Sequence, residues 1–276
     1  FYLLYNKMYW YLDHAGLGQK VKIVGYDNGP TSPGDPMKGI GDTLAAWSGG
    51  RRVDEYVGAI SFHSYRAAAR KTCDAARLQI DLHNYDGQRE EVIVAEIGDS
   101  TGDHSSVASK VANAVDSAKK VVSYANAGAA AIVKWGYNNL GNGFDATVKS
   151  GATIVPQNFN VMALFASSIP RKSVGRKIWK TDVVSQGGYF DGVAVSYWMN
   201  GKKKVVLWLV NDDAKPKLVT ITLKGLSQNV SFRKTLIDFN DASCPILSGG
   251  AYAVGGASPT LTDSVPARGA VVYVAE

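Results

Sequence analysis

Residues 91–100 read EVIVAEIGDS. A short apolar run, VIVA, delivers Glu96 and then Asp99 into a polar end. Runs of this kind, continuous rather than alternating, suit parallel strands covered on both faces. Three more stretches share the texture: VKIVGYD at 21–27, VGAISFHSY at 57–65 and AAIVKWGYNN at 130–139. Helical patterns lie between them. Residues 1–15 set Leu4, Met8 and Leu12 on one stripe, and 38–56 hold a shorter helical segment. Residues 66–83 are rich in Ala and Arg, and 105–127 space Val107, Val111, Val115 and Val122 near the helical period. Pro156 marks the start of a last helix over 156–169. Alternating helix and strand predicts a parallel sheet with right-handed crossovers. No strand leads into GxGxxG or GxxxxGK[ST], which argues against a nucleotide-binding doubly wound fold. Four strands fit half of a (βα)8 barrel, because a whole one needs about 250 residues.

After Ser168 the pattern changes. GGYFDGVAVSYWMNGKKKVVLWLVNDD, KLVTITLKGL, VSFRKTLIDF and ARGAVVYVAE alternate and are rich in β-branched and aromatic residues. Turns at Asn200-Gly201 and Asn211-Asp212-Asp213 separate them, as in an antiparallel β-sandwich. The expected fold class is therefore α/β plus all-β. Residues 1–170 are read as the C-terminal half of a TIM barrel, strands five to eight, and 171–276 as a β-sandwich domain.

The chain has 276 residues, 46% hydrophobic and 20% charged, which excludes disordered, collagen-like and coiled-coil classes. No apolar run reaches the roughly 20 residues of a membrane helix. The net charge of +6 lies wholly in the C-terminal part, notably at GKKKVV, 201–206. This reads as a solvated hairpin turn or as a patch for anionic glycans. No recognition helix, zinc finger or RNA-binding signature accompanies it, so no nucleic-acid partner is expected. Cys73 and Cys244 are too few for a disulfide scaffold, and there is no CxxC pair; a single bridge between them has no support. No cofactor or metal is expected. Asn229-Val230-Ser231 is an N-glycosylation sequon and leans toward a secreted, lysosomal or periplasmic setting. The chain opens on Phe1 in mid-helix pattern, with no N-cap and no first-turn acid, which reads as a chain lacking its natural beginning.

In barrel enzymes the reacting groups sit at the C-terminal ends of the strands. Those ends hold Asp27 with Asn28, His63 with Tyr65, Glu96 with Asp99, and Trp135 with Tyr137 and Asn138. Glu96 stands out. The chain has only five Glu, and a carboxylate leaving a buried strand is costly without a partner or a task. An ion pair with a Lys or Arg is the plainer alternative. His63 and Tyr65, two apart on a strand, face the same way. Trp135 is either a platform for the apolar face of a sugar or a packed core residue.

These ends carry a resemblance. ISFHSY resembles the sixth barrel strand of the clan A glycoside hydrolases, VIVAEIGDS the seventh, and IVKWGY the eighth. The attached sandwich, ending in GAVVYVAE, is similar to those of families 30, 39, 51 and 79. The resemblance implies a retaining glycosidase acting on a carbohydrate. It makes Glu96 the nucleophile, with Tyr65 hydrogen-bonding it, His63 lining the sugar subsite and Trp135 stacking under the sugar. Asp27 and Asn138 become candidate hydroxyl contacts.

The sequence departs from the pattern at one point. The clan's acid/base Glu follows an Asn, and no Asn-Glu dipeptide occurs here. Glu90 and Glu91 fall at the wrong end of their strand. The expectation is a glycosidase fragment or subunit. A second polypeptide carrying strands one to four would complete it; alternatively the chain stands alone as a homodimer whose two open half-barrels cover each other. A non-hydrolytic carbohydrate-binding or structural remnant is the alternative. An esterase is a further one, suggested by GDS at 98–100 and by SxxK at Ser117–Lys120. The GDS motif lacks its partner Asp-x-x-His, and the SxxK falls mid-helix in a surface pattern.

Overall fold

A computed structural model describes residues 3–18, 20–28, 36–64, 69–98, 106–134, 148–149, 152–153, 157–179, 188–223, 229–256 and 260–276. The chain divides into two compact units. One comprises Phe1–Ile97 with Ala127–Lys134, and the other Gly98–Asn126 with Trp135–Glu276. No helix among the described residues is long and apolar enough to cross a membrane.

The first unit is built on four parallel strands whose spatial order follows the chain: β1 (Ile23–Asn28), β2 (Val57–Ser64), β3 (Glu91–Ile97) and β4 (Ala131–Lys134). Each coincides with one of the apolar runs. Helix α1 (Leu3–His14) precedes β1, α2 (Pro36–Ala45) joins β1 to β2, and α3 (Ala69–Leu82) joins β2 to β3. Ile60, Phe62, Val92 and Val94 bury one face of the sheet. Ile40 and Leu44 of α2, and Cys73, Ala76 and Ile80 of α3, recur at helical spacing and are fully buried. The Arg77 guanidinium of α3 donates to the carbonyls of Ala127 and Gly128, tying that helix to the segment that enters β4. On the other face the residues are small or half exposed: Ala59 and Ser61 in β2, Ile93 and Ala95 in β3, with Val24 and Val133 exposed at its flanks.

Helix α1 differs from expectation. Leu4 and Met8 of the predicted stripe are exposed, at 52% and 41%, and Tyr5 is buried instead. The helix anchors through polar aromatic contacts. Asn6 donates from Nδ2 to the Tyr56 hydroxyl at 3.0 Å, and the Tyr9 and Tyr56 rings lie 5.5 Å apart. An aliphatic count misses this because Tyr and Asn carry the seam.

In the second unit, six antiparallel strands form a sheet: β5 (Val174–Trp179), β6 (Phe190–Met199), β7 (Lys202–Asn211), β9 (Val230–Asp238), β10 (Ile246–Val254) and β12 (Gly269–Ala275). Their spatial order is β10-β9-β12-β7-β6-β5. A separate pair, β8 (Lys217–Thr222) with β11 (Thr260–Val265), supplies Val219, Leu261 and Val265 to a core shared with Leu207, Phe232, Val271 and Tyr273 of the large sheet. Asn200 and Gly201 both adopt positive φ, 51° and 73°, and close the β6–β7 hairpin as the Asn-Gly pair predicts. Two helices pack on the large sheet's other side, α4 (Val107–Asn126) and α5 (Gln157–Ser167). The Trp208 indole donates to Ser168 Oγ at 2.9 Å, and its ring lies 5.3 Å from that of Phe165. In α4, Ser123 and Asn126 donate to the Asp191 carboxylate of β6.

Two further sequence readings meet the structure here. Ser117 and Lys120 do not face solvent as the mid-helix SxxK reading has it; both are buried. Lys120 Nζ lies 2.6 Å from Asp116 and donates to the Gly98 carbonyl at 2.6 Å, so its charge is committed to structure. The reason is that α4 is buried on more than one face, so its polar positions need internal partners. Cys73 and Cys244 are both free and buried, and burial together with Asp241 and Asp238 pushes the Cys244 thiol up to about 11.

Candidate active site at the end of the parallel sheet

Three of the six predicted site residues come together. The His63 ring stands between two carboxylates, with Nδ1 3.2 Å from Glu96 Oε2 and Nε2 3.1 Å from Asp27 Oδ1. The Ser61 hydroxyl, two residues before His63 on the same face, is shared between Asp27 Oδ1 at 3.0 Å and the Tyr26 carbonyl at 3.1 Å. Glu96 is well enclosed, with 14% of its side chain exposed and 20% for His63, whereas Asp27 is 60% exposed. The group thus grades from a sheltered carboxylate to one open to solvent. Tyr65, Trp135 and Asn138, and with them Asp99 and Ser100, lie outside the described residues.

Two irregularities in the sheet create this meeting. Strict alternation along β3 would send Glu96 to the same face as Val92 and Val94, which is buried. The register shows otherwise: Phe62 pairs with Val94, and His63 then pairs with Glu96, leaving Ala95 as an extra residue. This β-bulge turns Glu96 onto the face of His63. Strand β1 repeats the device. Gly25 pairs with Ile60 and Asp27 with Ser61, so Tyr26 is the extra residue. Tyr26 takes φ 50°, a left-handed conformation that costs a bulky residue roughly 1–2 kcal/mol. Its ring is held over Gly39 of α2, where any Cβ would collide with it. Asp27 is thereby turned to the His63 side. Bulges are rare in parallel pairs and cluster next to active sites, where they re-aim a side chain.

The two other acidic residues of this strand region lie at its opposite end. Glu91 opens β3 and pairs with Lys22 at 3.0 Å, and Glu90 precedes the strand and is buried near Asp54. Neither reaches His63. Sequence reasoning missed Ser61 altogether, since a lone Ser inside an apolar run carries no signal of its own.

Solved structures of glycoside hydrolases share the fold of this chain, with its parallel and antiparallel sheets. A family 30 subfamily 8 xylanase from Clostridium acetobutylicum superposes with a TM-score of 0.62 at 18% identity, over 99% of this chain and 60% of its own. An α-L-arabinofuranosidase from Thermotoga maritima gives a TM-score of 0.62 at 11% identity, over 99% and 61%. A family 30 endoxylanase from Clostridium papyrosolvens gives 0.59 at 14%, over 99% and 69%. The likeness is one of fold, and the chain spans about 60% of the length of the first of these enzymes. Neither a protein-family model nor a curated protein matches the sequence.

Proposed function

We propose that this chain is the nucleophile-bearing part of a retaining glycoside hydrolase, with the parallel sheet as strands five to eight of a (βα)8 barrel and the second unit built around a β-sandwich. The observation that carries the reading is Glu96. It is a sheltered carboxylate at the C-terminal end of β3, turned by a bulge onto His63, which is flanked in turn by Asp27, itself held by the Ser61 hydroxyl. A carboxylate so placed is oriented before substrate arrives.

In the reaction, Glu96 attacks the anomeric carbon and forms a glycosyl ester while the leaving oxygen takes a proton from a second carboxyl group. Water then cleaves the ester, with that second group as base. Retaining enzymes set the two groups about 5–5.5 Å apart. The contact with His63 fixes the Glu96 oxygen that is not attacking, and Tyr65 adds a further hydrogen bond to it. Trp135 forms the floor under the sugar ring, and Asp27 and Asn138 contact hydroxyls. The acid/base comes from a further segment bearing strands one to four, and a homodimer through the open half-barrel is the alternative way to cover this face. The open face flanked by Val24 and Val133 supports such a partner, because apolar residues exposed there gain from being covered. The exposed Asn229 of the sequon supports a secreted or lumenal setting.

Replacement of Glu96 by Ala tests the assignment. Turnover of an aryl glycoside should fall by about 10³-fold or more, on the order of 4 kcal/mol, for loss of the covalent route. Added azide should restore part of it and yield a glycosyl azide. Full activity in this variant would contradict Glu96 as the nucleophile, and glycan binding unchanged by Glu96→Gln with no turnover in the wild type would replace the proposal with a non-hydrolytic binding protein.

A further inference from the structure

A second group of carboxylates lies in the first unit at the end of β3 opposite Glu96. Asp54 belongs to the short 3-10 turn Val53–Tyr56 that leads into β2, Asp86 to the turn after α3, and Glu90 to the residue just before β3. Asp54 is wholly buried and Glu90 is 6% exposed, while Asp86 faces solvent. One carboxylate oxygen of each lies within 4.8 Å of those of the other two.

Hydrogen bonding leaves this group incomplete. The backbone N–H groups of Tyr85 and Asp86 donate to Asp54 Oδ2 at 2.6 and 3.1 Å, which fixes the turn around the carboxylate. Asp54 Oδ1 and Glu90 Oε2 are buried and have no donor. Among the described residues, no Lys or Arg pairs with any of the three acids. The nearby arginines are engaged elsewhere: Arg52 donates to the Ala45 carbonyl and stacks on the Trp47 and Tyr85 rings, and Arg89 pairs with Asp81 at 2.9 Å. Buried carboxylates without a counter-charge are strongly unfavourable, and the remedy is a proton or a cation.

We infer that Asp54, Asp86 and Glu90 form a binding site for calcium, tying the turn after α3 to the entrances of β2 and β3. The ligand set is oxygen only, without His or Cys, which suits a hard cation and disfavours zinc or copper. Calcium takes oxygens at about 2.3–2.6 Å, so two of its ligands lie at most roughly 4.6–5.2 Å apart, and the three oxygens, all within 4.8 Å of one another, fall inside that limit. A site open to solvent at Asp86 and built from separate chain segments suits calcium's flexible coordination better than magnesium's near-ideal octahedron. The two buried oxygens without donors point the site inward, and exposed Asp86 gives the ion an entry and leaves room for water ligands.

The test uses the full chain, stripped of metal with a chelator, at pH 7.5. Calcium should raise the melting temperature by roughly 5 °C at a concentration 100-fold above its dissociation constant. Terbium should bind with sensitised luminescence and be displaced by calcium. Asp86→Asn, an exposed change that leaves the buried groups in place, should weaken binding tenfold or more. Glu90→Gln should abolish the calcium response while leaving the metal-free protein at least as stable. A melting temperature indifferent to calcium and moved only by pH would overturn the site in favour of a shared proton. Terbium binding unaffected by both substitutions would overturn it by placing the ion elsewhere.

Discussion

The two ring nitrogens of His63 face different carboxylates, Nδ1 toward Glu96 and Nε2 toward Asp27. The contacts to Glu96 and Asp27 therefore link the three groups into one electrostatic unit. Removing the ring should harm catalysis more than removing the exposed acid. On the proposed role of Glu96 as nucleophile, His63→Ala is expected to lower kcat by roughly 10- to 100-fold, about 1.4–2.7 kcal/mol, with a smaller change in KM, because it removes the group that orients Glu96. Asp27→Asn should cost only a few-fold. Steady-state kinetics of the two variants checks the order, and a larger loss for Asp27→Asn would contradict it.

At the scale of elements, the bulges at Tyr26 and Ala95 decide where the side chains point. Continuous apolar runs made the four parallel strands legible, and the Asn-Gly pair announced the β6–β7 hairpin. An inserted residue has no such mark: strict alternation along VIVAEI sends Glu96 to the wrong face, and only the pairing register corrects it. The same holds for α4, where Ser117 and Lys120 read as surface positions because nothing in the local sequence reveals the elements packed around the helix. Tyr26 depends on Gly39. Gly39→Ala should displace its ring and destabilise the protein by about 1–3 kcal/mol, seen in the urea midpoint, with activity falling further as Asp27 shifts. The antiparallel sheet has its own pressure point. Buried Lys234 pairs with Asp263 at 2.6 Å and donates to the Ser264 carbonyl at 3.0 Å, and Tyr273 donates to the same carboxylate at 2.7 Å. Burial pushes the Asp263 carboxyl upward, but these hydrogen bonds outweigh it and hold it below its ordinary value. Lys234→Met should cost about 3–5 kcal/mol by leaving Asp263 unpaired, and the double change Lys234→Met with Asp263→Leu should recover most of that. Denaturation curves of the single and double variants provide the check.

For the whole molecule, length and composition said only that the chain folds. The change in hydrophobic period near residue 169 announces a parallel and an antiparallel sheet in one chain, whereas the sheltered setting of Glu96 depends on strand register, which no local sequence pattern marks. Stability should also respond to pH through Glu90. Its folded-state value is raised, so between about pH 4.5 and 8 the folded form holds a proton that the unfolded chain has released. That contribution is fully present below the unfolded value and is lost as pH rises toward 8. Metal-free protein should therefore melt lower at pH 8 than at pH 5, and Glu90→Gln should flatten the difference. The proposal as a whole rests on Glu96, and covalent trapping addresses it most directly. An active preparation is treated with a 2-deoxy-2-fluoro glycoside bearing a dinitrophenolate leaving group, which needs little help from an acid, and the peptides are mapped by mass spectrometry. The account predicts a single glycosyl ester on Glu96; an adduct on any other carboxylate, with none on Glu96, would contradict it.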